Sequence, residues 1–93
     1  MKVLAIDPGY GRCGVAVVEK DAGGERLLYS DCIETDGDDE FPERLAAVTT
    51  HCARLLDEHA PDCMALEKLF FAKNQKTAMH VAEVRGALIQ IAA

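Results

Sequence analysis

Val3-Leu4-Ala5-Ile6-Asp7-Pro8-Gly9 and, sixty residues on, Asp62-Cys63-Met64-Ala65-Leu66-Glu67 decide how this chain reads. Each is a short apolar run that ends in an acid. A run as apolar as Val3–Ile6 is what a strand covered on both faces requires. A carboxylate at the end of such a strand is costly to desolvate unless something pairs with it. If the two runs lie as neighbouring parallel strands, Asp7 and Glu67 emerge at one edge of a sheet. That edge is where α/β proteins bind ligands and metals. Two carboxylates form a hard oxygen donor set that suits magnesium and needs neither cysteine nor histidine.

The segments between them supply the connection that a parallel pair needs. Asp7-Pro8-Gly9-Tyr10-Gly11 reads as a turn, with proline fixing φ and the glycines permitting positive φ. Cys13 to Val18, rich in valine, reads as a second strand, and Asp21-Ala22-Gly23-Gly24 as a hairpin turn. Arg26 to Thr35 reads as a third strand, with Leu27, Tyr29 and Asp31 on one face and Leu28, Ser30 and Cys32 on the other. After the polar stretch Asp36–Glu40 a helical period begins at Phe41. Pro42 suits a first turn, and Leu45, Val48, Cys52, Leu55 and Leu56 fall on one face. Ala60-Pro61 ends this helix, because the residue before proline avoids the α region. Cys63–Leu66 is a fourth strand, Leu69–Lys76 a loop, and a second helix runs from about Thr77 to the end. A helix joining strands three and four lets the fourth lie parallel to the first.

Ninety-three residues suffice for one small domain, and 49% hydrophobic with 28% charged is an ordinary globular composition. The apolar stretches are far shorter than the roughly 20 residues of a membrane span, and the N-terminus lacks a cleavable leader pattern. A cytoplasmic protein is expected. Cys13, Cys32, Cys52 and Cys63 form no Cys-x-x-Cys pair and read as four small buried thiols. The net charge of −6 speaks against nucleic acid until its distribution is considered. Residues 1–66 carry six basic and fourteen acidic residues (−8), with the acids concentrated in Glu34–Glu43. Residues 67–93 carry Lys68, Lys73, Lys76 and Arg85 against Glu67 and Glu83 (+2), which is compatible with a phosphate backbone.

The last helix is apolar nearly all round. Met79, Val81, Val84, Leu88, Ile89 and Ile91 cannot all face one core, and Ala78, Ala82 and Gly86 make a stripe of small residues. Such a helix needs a second surface, either further chain or a second subunit. With no cap after Ala92-Ala93, the chain reads as a fragment.

Ile6-Asp7-Pro8-Gly9, Cys32-Ile33-Glu34-Thr35, Pro42-Glu43-Arg44-Leu45, Pro61-Asp62, Leu66-Glu67, Phe70-Phe71-Ala72-Lys73-Asn74 and Ala82-Glu83-Val84-Arg85-Gly86 resemble, in order and spacing, the N-terminal part of RuvC-type Holliday-junction resolvases. The resemblance covers the whole chain, and Glu67 followed by the Phe-Phe-Ala-Lys-Asn loop is its most specific part. It implies a ribonuclease-H-like α/β fold: a mixed sheet of three antiparallel strands, a helix, a parallel fourth strand and a helix, truncated before the C-terminal strand and helices. Residues 1–93 are then one partial domain. It implies a homodimeric endonuclease dependent on magnesium, or manganese in its place. Such an enzyme nicks four-way DNA junctions in recombination and repair and works with a branch-migration helicase. Asp7 and Glu67 look like catalytic metal ligands and Phe70 like the aromatic that stacks on a junction base. Lys73 and Asn74 look like backbone- and base-contacting positions, and the second helix like part of the dimer interface. The family completes its site with further acids, or an acid and a histidine, near the C-terminus. His51, His59 and His80 do not take that place, so the site is half present.

The residues themselves leave other readings. Asp7 before Pro-Gly suits the first position of a turn, and Glu67 could pair with Lys68 at the surface. Phe70 and Phe71 cannot point the same way, so one packs inward and one is free to stack on a base, a contact worth roughly 1–3 kcal/mol. Lys73 and Lys76 beside Phe70 and Asn74 suit a loop that tracks phosphates. His80 reads as structural, and Arg85 could pair with Glu83 or Asp62 or reach phosphate. Two alternatives remain at the level of function: a truncated, inactive module that dimerises and binds DNA, and a related ribonuclease-H-like RNA-processing nuclease. The second carries a glycine-rich turn after its fourth strand, where this chain has Glu67-Lys68-Leu69-Phe70. An actin-like ATPase shares the opening strand, but its phosphate-cradling second half is not visible.

Overall fold

A computed structural model describes residues 1–67 and 75–93, without the side chains of Gln75 and Lys76. Its elements are β1 (Lys2–Asp7), β2 (Arg12–Asp21), β3 (Gly24–Glu34), α1 (Phe41–His59), β4 (Cys63–Leu66) and α2 (Gln75–Ala92). The four strands form one mixed sheet in the order β3-β2-β1-β4. β2 is antiparallel to both β1 and β3, and β4 is parallel to β1. The parallel pair exists because α1 carries the chain back across the sheet between β3 and β4.

Alternation along the strands sorts the sheet into two faces. Leu4 and Ile6 of β1, Cys13, Val15 and Val17 of β2 and Ile33 of β3 are buried on the face that receives the helices. Val48, Cys52 and Leu55 of α1 and Val84 and Leu88 of α2 complete this core. Leu45, Leu56, Met64 and Leu66 pack at its margin, so the anticipated face of α1 is the buried one.

Several details depart from the sequence reading. β2 and β3 extend further into their hairpin than Cys13–Val18 and Arg26–Thr35, since Asp21 and Gly24 still pair. A bulge leaves Leu28 without an opposite residue, so Tyr29 pairs with the buried Val17 and Leu27 with Val18. Leu27 and Tyr29 therefore do not share a face. Only two thiols are buried: Cys13 and Cys52 share a hydrogen bond in the core, while Cys32 and Cys63 are exposed on the opposite face. α1 stops at Ala60 as expected, but by a left-handed cap (φ 46°, ψ 56°) whose N–H bonds to Leu56 O at 3.0 Å. α2 begins two residues before Thr77. Its small stripe divides, with Ala78 buried and Ala82 and Gly86 exposed.

The core position with most at stake is Leu4, fully buried at the centre of the sheet. In the intact protein Leu4→Ala should lower unfolding stability by about 2–5 kcal/mol, read from the urea midpoint. Leu27→Ala, at a side chain 64% exposed, should change it by less than about 0.5 kcal/mol. Equal effects would mean that β3 is covered in solution.

Candidate metal and nucleic-acid site

The pairing of β1 with β4 brings the two acids together. Ile6 is level with Leu66 in the parallel register, and Glu67 N–H donates to Ile6 O at 3.1 Å. Asp7, the last residue of β1, and Glu67, the residue after β4, thus stand one residue past Ile6 and Leu66. By alternation both carboxylates leave the sheet on the same side. They are close enough to share a hydrogen bond, and this bond, with the repulsion from the Asp7 charge, holds the Glu67 carboxyl above the usual carboxylate range. Both residues are exposed, so the pair is open to solvent. Two carboxylate groups that crowd each other in this way form a site of excess negative charge, and their oxygens fit a divalent hard cation. Among the described residues, no group of three or more His, Cys, Asp and Glu side chains is placed to hold a metal.

The turn after Asp7 is fixed by contacts that the sequence did not reveal. A Cβ at Gly9 would stand 2.0 Å from Arg12 O, so only glycine fits there. Gly14 is the cross-strand partner of Asp7. Tyr10 packs edge-on against Phe41 (centroids 5.4 Å apart) and His80 (5.2 Å), and Phe41 stacks on His80 at 3.9 Å. The Arg44 guanidinium lies 5.0 Å from the Tyr10 ring centroid, while its Nε donates to Thr35 Oγ1 at 2.9 Å. The Thr35 hydroxyl donates in turn to Tyr10 O, and Thr35 N–H to Gly11 O at 3.1 Å. His80 is accordingly a packing residue of this cluster, with its Nδ1 3.4 Å from Glu83 Oε1. The local signal for the cluster was absent, because Tyr10, Phe41 and His80 are distant in sequence.

Arg85 takes neither partner considered for it. Its Nε donates to Glu67 O at 3.2 Å. Asp62 instead accepts the Lys2 N–H at 2.8 Å. Phe70, Lys73 and Asn74, expected to contact nucleic acid, lie outside the described residues, as do Lys68 and the side chain of Lys76. Beside β4, an open groove of about 470 Å³ is lined by Met64, Leu66, Arg85, Ile89, Ala92 and Ala93.

Comparison with known proteins gives a consistent result. The family model described as crossover junction endodeoxyribonuclease RuvC matches residues 3–93. The protein of that name from Brachyspira hyodysenteriae is 42% identical over 89 residues, covering 96% of this chain and 56% of its own length. The one from Petrotoga mobilis is also 42% identical over 89 residues, covering 96% and 55%. The structure of T. thermophilus RuvC in complex with Holliday junction substrate superposes with a TM-score of 0.90 at 27% identity, covering 99% of this chain and 59% of that one. The chain thus spans about half the length of the curated relatives it matches. The mixed sheet with its two helices is the ribonuclease-H-like fold.

The carboxylate pair has a pH signature. The folded-state pKa of Glu67 lies above its ordinary value near 4.5, so ionisation of Glu67 disfavours the folded state. The stability tied to this group is present at low pH and is lost as the pH rises through the raised pKa. Glu67→Gln carries no charge at any pH. In metal-free intact protein it should raise the urea midpoint at neutral pH, and the gain should close below about pH 4. A gain that persists unchanged in acid would remove repulsion from Asp7 as its cause.

Proposed function

The chain belongs to the crossover junction endodeoxyribonuclease RuvC family, and we propose that the whole protein is a magnesium-dependent endonuclease that nicks four-way DNA junctions during recombination and repair. The observation that carries this reading is the meeting of Asp7 and Glu67 at the end of two parallel strands. Relatives named for this activity and a related structure titled as a complex with Holliday junction substrate support it. Residues 1–93 are read as part of one ribonuclease-H-like domain. The remaining acidic ligands are assigned to the rest of the whole protein.

Asp7 and Glu67 are the residues assigned to hold the cation, magnesium or manganese in its place. When bound, that cation supplies charge neutralisation and polarisation at a scissile phosphate. The protein's own part is positional. The cluster around Tyr10 fixes the turn that follows Asp7, and the parallel ladder fixes Glu67 beside it, so both carboxylates are in place before DNA arrives. Phe70 is assigned to stacking on an unpaired junction base, and Lys73, Asn74 and Lys76 to phosphate and base contacts. These follow Glu67 directly in the chain, which keeps the nucleic-acid contacts beside the carboxylates despite the net charge of −6.

The partners follow from the same reading: junction DNA, a branch-migration helicase and a second copy of the chain. On α2, Met79 and Ile89 are 63% and 52% exposed, and Ala82 and Gly86 lie exposed between them. Spacings of three and four residues place these four on one helix face, and small central residues permit close approach of a second helix. No helix among the described residues is long and apolar enough to cross a membrane. A cytoplasmic location is proposed from the DNA substrate.

Incubating the intact protein with a synthetic four-way junction and magnesium tests the activity. Cleavage should be symmetric and should vanish when magnesium is chelated. Asp7→Asn should reduce the rate by more than the roughly 10–100-fold typical of residues behind a metal ligand. Wild-type activity in Asp7→Asn would refute the assignment. Ala82→Glu would place a charge in the middle of the exposed α2 face. In sedimentation velocity it should convert a two-chain species to a one-chain species, whereas an unchanged mass would place the dimer contact elsewhere.

A further inference from the structure

Glu67 lies one residue beyond β4, where the ladder ends. Its N–H still has a partner, Ile6 O at 3.1 Å. On the carbonyl side, Arg85 Nε reaches over from α2 and donates at 3.2 Å. Both backbone polar groups of Glu67 are therefore held, one by β1 and the other by α2. With N–H and C=O fixed, the direction of the Glu67 Cα–Cβ bond is fixed as well. Arg85 is itself well placed to act as an anchor. The residue before it, Val84, is fully buried, and so is Leu88 one turn on. Of the acids that could have drawn Arg85 away, Asp62 is engaged with the backbone of Lys2, and Glu83 Oε1 lies 3.4 Å from His80 Nδ1.

We propose that Arg85 is a positioning residue for Glu67: by fixing the Glu67 carbonyl from α2, it holds the carboxylate of Glu67 beside that of Asp7. This rests on the reading of Asp7 and Glu67 as the metal pair. The pair repels itself in the absence of a cation, so a restraint on the backbone of Glu67 keeps the carboxylates from parting. Arginine suits the task because its rigid guanidinium directs Nε–H at a fixed angle, which the single flexible ammonium of lysine reproduces only in part.

Calorimetric titration of the intact protein with Mn²⁺ alone tests this without reference to cleavage. The set comprises wild type, Arg85→Gln, Arg85→Lys and Asp7→Asn, each with its melting temperature and its affinity for a four-way junction in chelator. Arg85→Gln should weaken Mn²⁺ binding roughly tenfold, the scale on which groups behind a metal ligand act. Arg85→Lys should recover part of the loss, and neither should change junction affinity. Two results would overturn the proposal. Unchanged Mn²⁺ affinity with a lowered melting temperature would make Arg85 a tether for α2 only. Unchanged Mn²⁺ affinity with weakened junction binding would make it a phosphate contact. Asp7→Asn separates the two levels: if it leaves Mn²⁺ binding intact, the metal pair itself is misassigned and the role of Arg85 falls with it.

Discussion

The register between β1 and β4 is the constraint on which the site depends. Parallel strands cannot be joined by a tight turn, so this register is set by tertiary contacts rather than by a hairpin. It is clamped at both ends. At the start, Asp62 N–H donates to Lys2 O at 2.8 Å, Lys2 N–H donates to the Asp62 carboxylate at 2.8 Å, and Lys2 Nζ reaches His59 O at 2.9 Å. At the far end, Glu67 N–H meets Ile6 O. Between the clamps, Leu4 lies level with Met64 and Ile6 with Leu66, all directed at the core. A slip of one residue would turn Met64 and Leu66 out and direct an acid inward. The cost of burying an unpaired carboxylate opposes such one-residue slips, and a two-residue slip would break the hydrogen bonds at both ends.

The second requirement is that the turn after Asp7 stay in place. Tyr10 meets Phe41 from the start of α1 and His80 from α2, so the turn is bolted to both helices. Aromatic pairs of this kind contribute about 0.5–1.5 kcal/mol each beyond their buried area. The Thr35–Arg44 hydrogen bonds add a link from the end of β3 to the same turn. Three elements, α1, α2 and the end of β3, therefore converge on a segment that has little apolar content of its own.

Much of this was legible because it follows from local pattern. The valine-rich runs, the helical period of Leu45 to Leu56 and the Gly23-Gly24 turn each signal their element without tertiary information. The juxtaposition of Asp7 and Glu67 followed from element order alone. What was missed depends on pairing. The bulge at Leu28 arises from how β3 meets β2, and its effect on facing cannot be read from β3 by itself. Cys32 and Cys63 looked like core residues by type, yet they fall on the sheet face that the helices do not cover. Pro61 accounts for the helix ending at Ala60, but not for the left-handed cap that Ala60 adopts without being glycine. The partner of Arg85 was undecidable because a backbone carbonyl leaves no mark in sequence. Phe70, Lys73 and Asn74, read from residue type and from the resemblance, lie outside the described residues.

α2 joins these threads. Its buried side, Ala78, Val84 and Leu88, closes the core over β1 and α1. His80 on the same helix fastens the turn after Asp7, and Arg85 holds the carbonyl of Glu67. One rigid element thus touches the Tyr10 ring in the turn after Asp7 and the backbone of Glu67, while its outer side presents Met79, Ala82, Gly86 and Ile89. A helix moves as a unit, so a shift of α2 by a fraction of a turn would displace His80 and Arg85 together. The near-continuous apolar character that made α2 read as a helix in need of a second surface fits such a position. It packs inward beside the carboxylates, while Met79 and Ile89 stay exposed on its outer side.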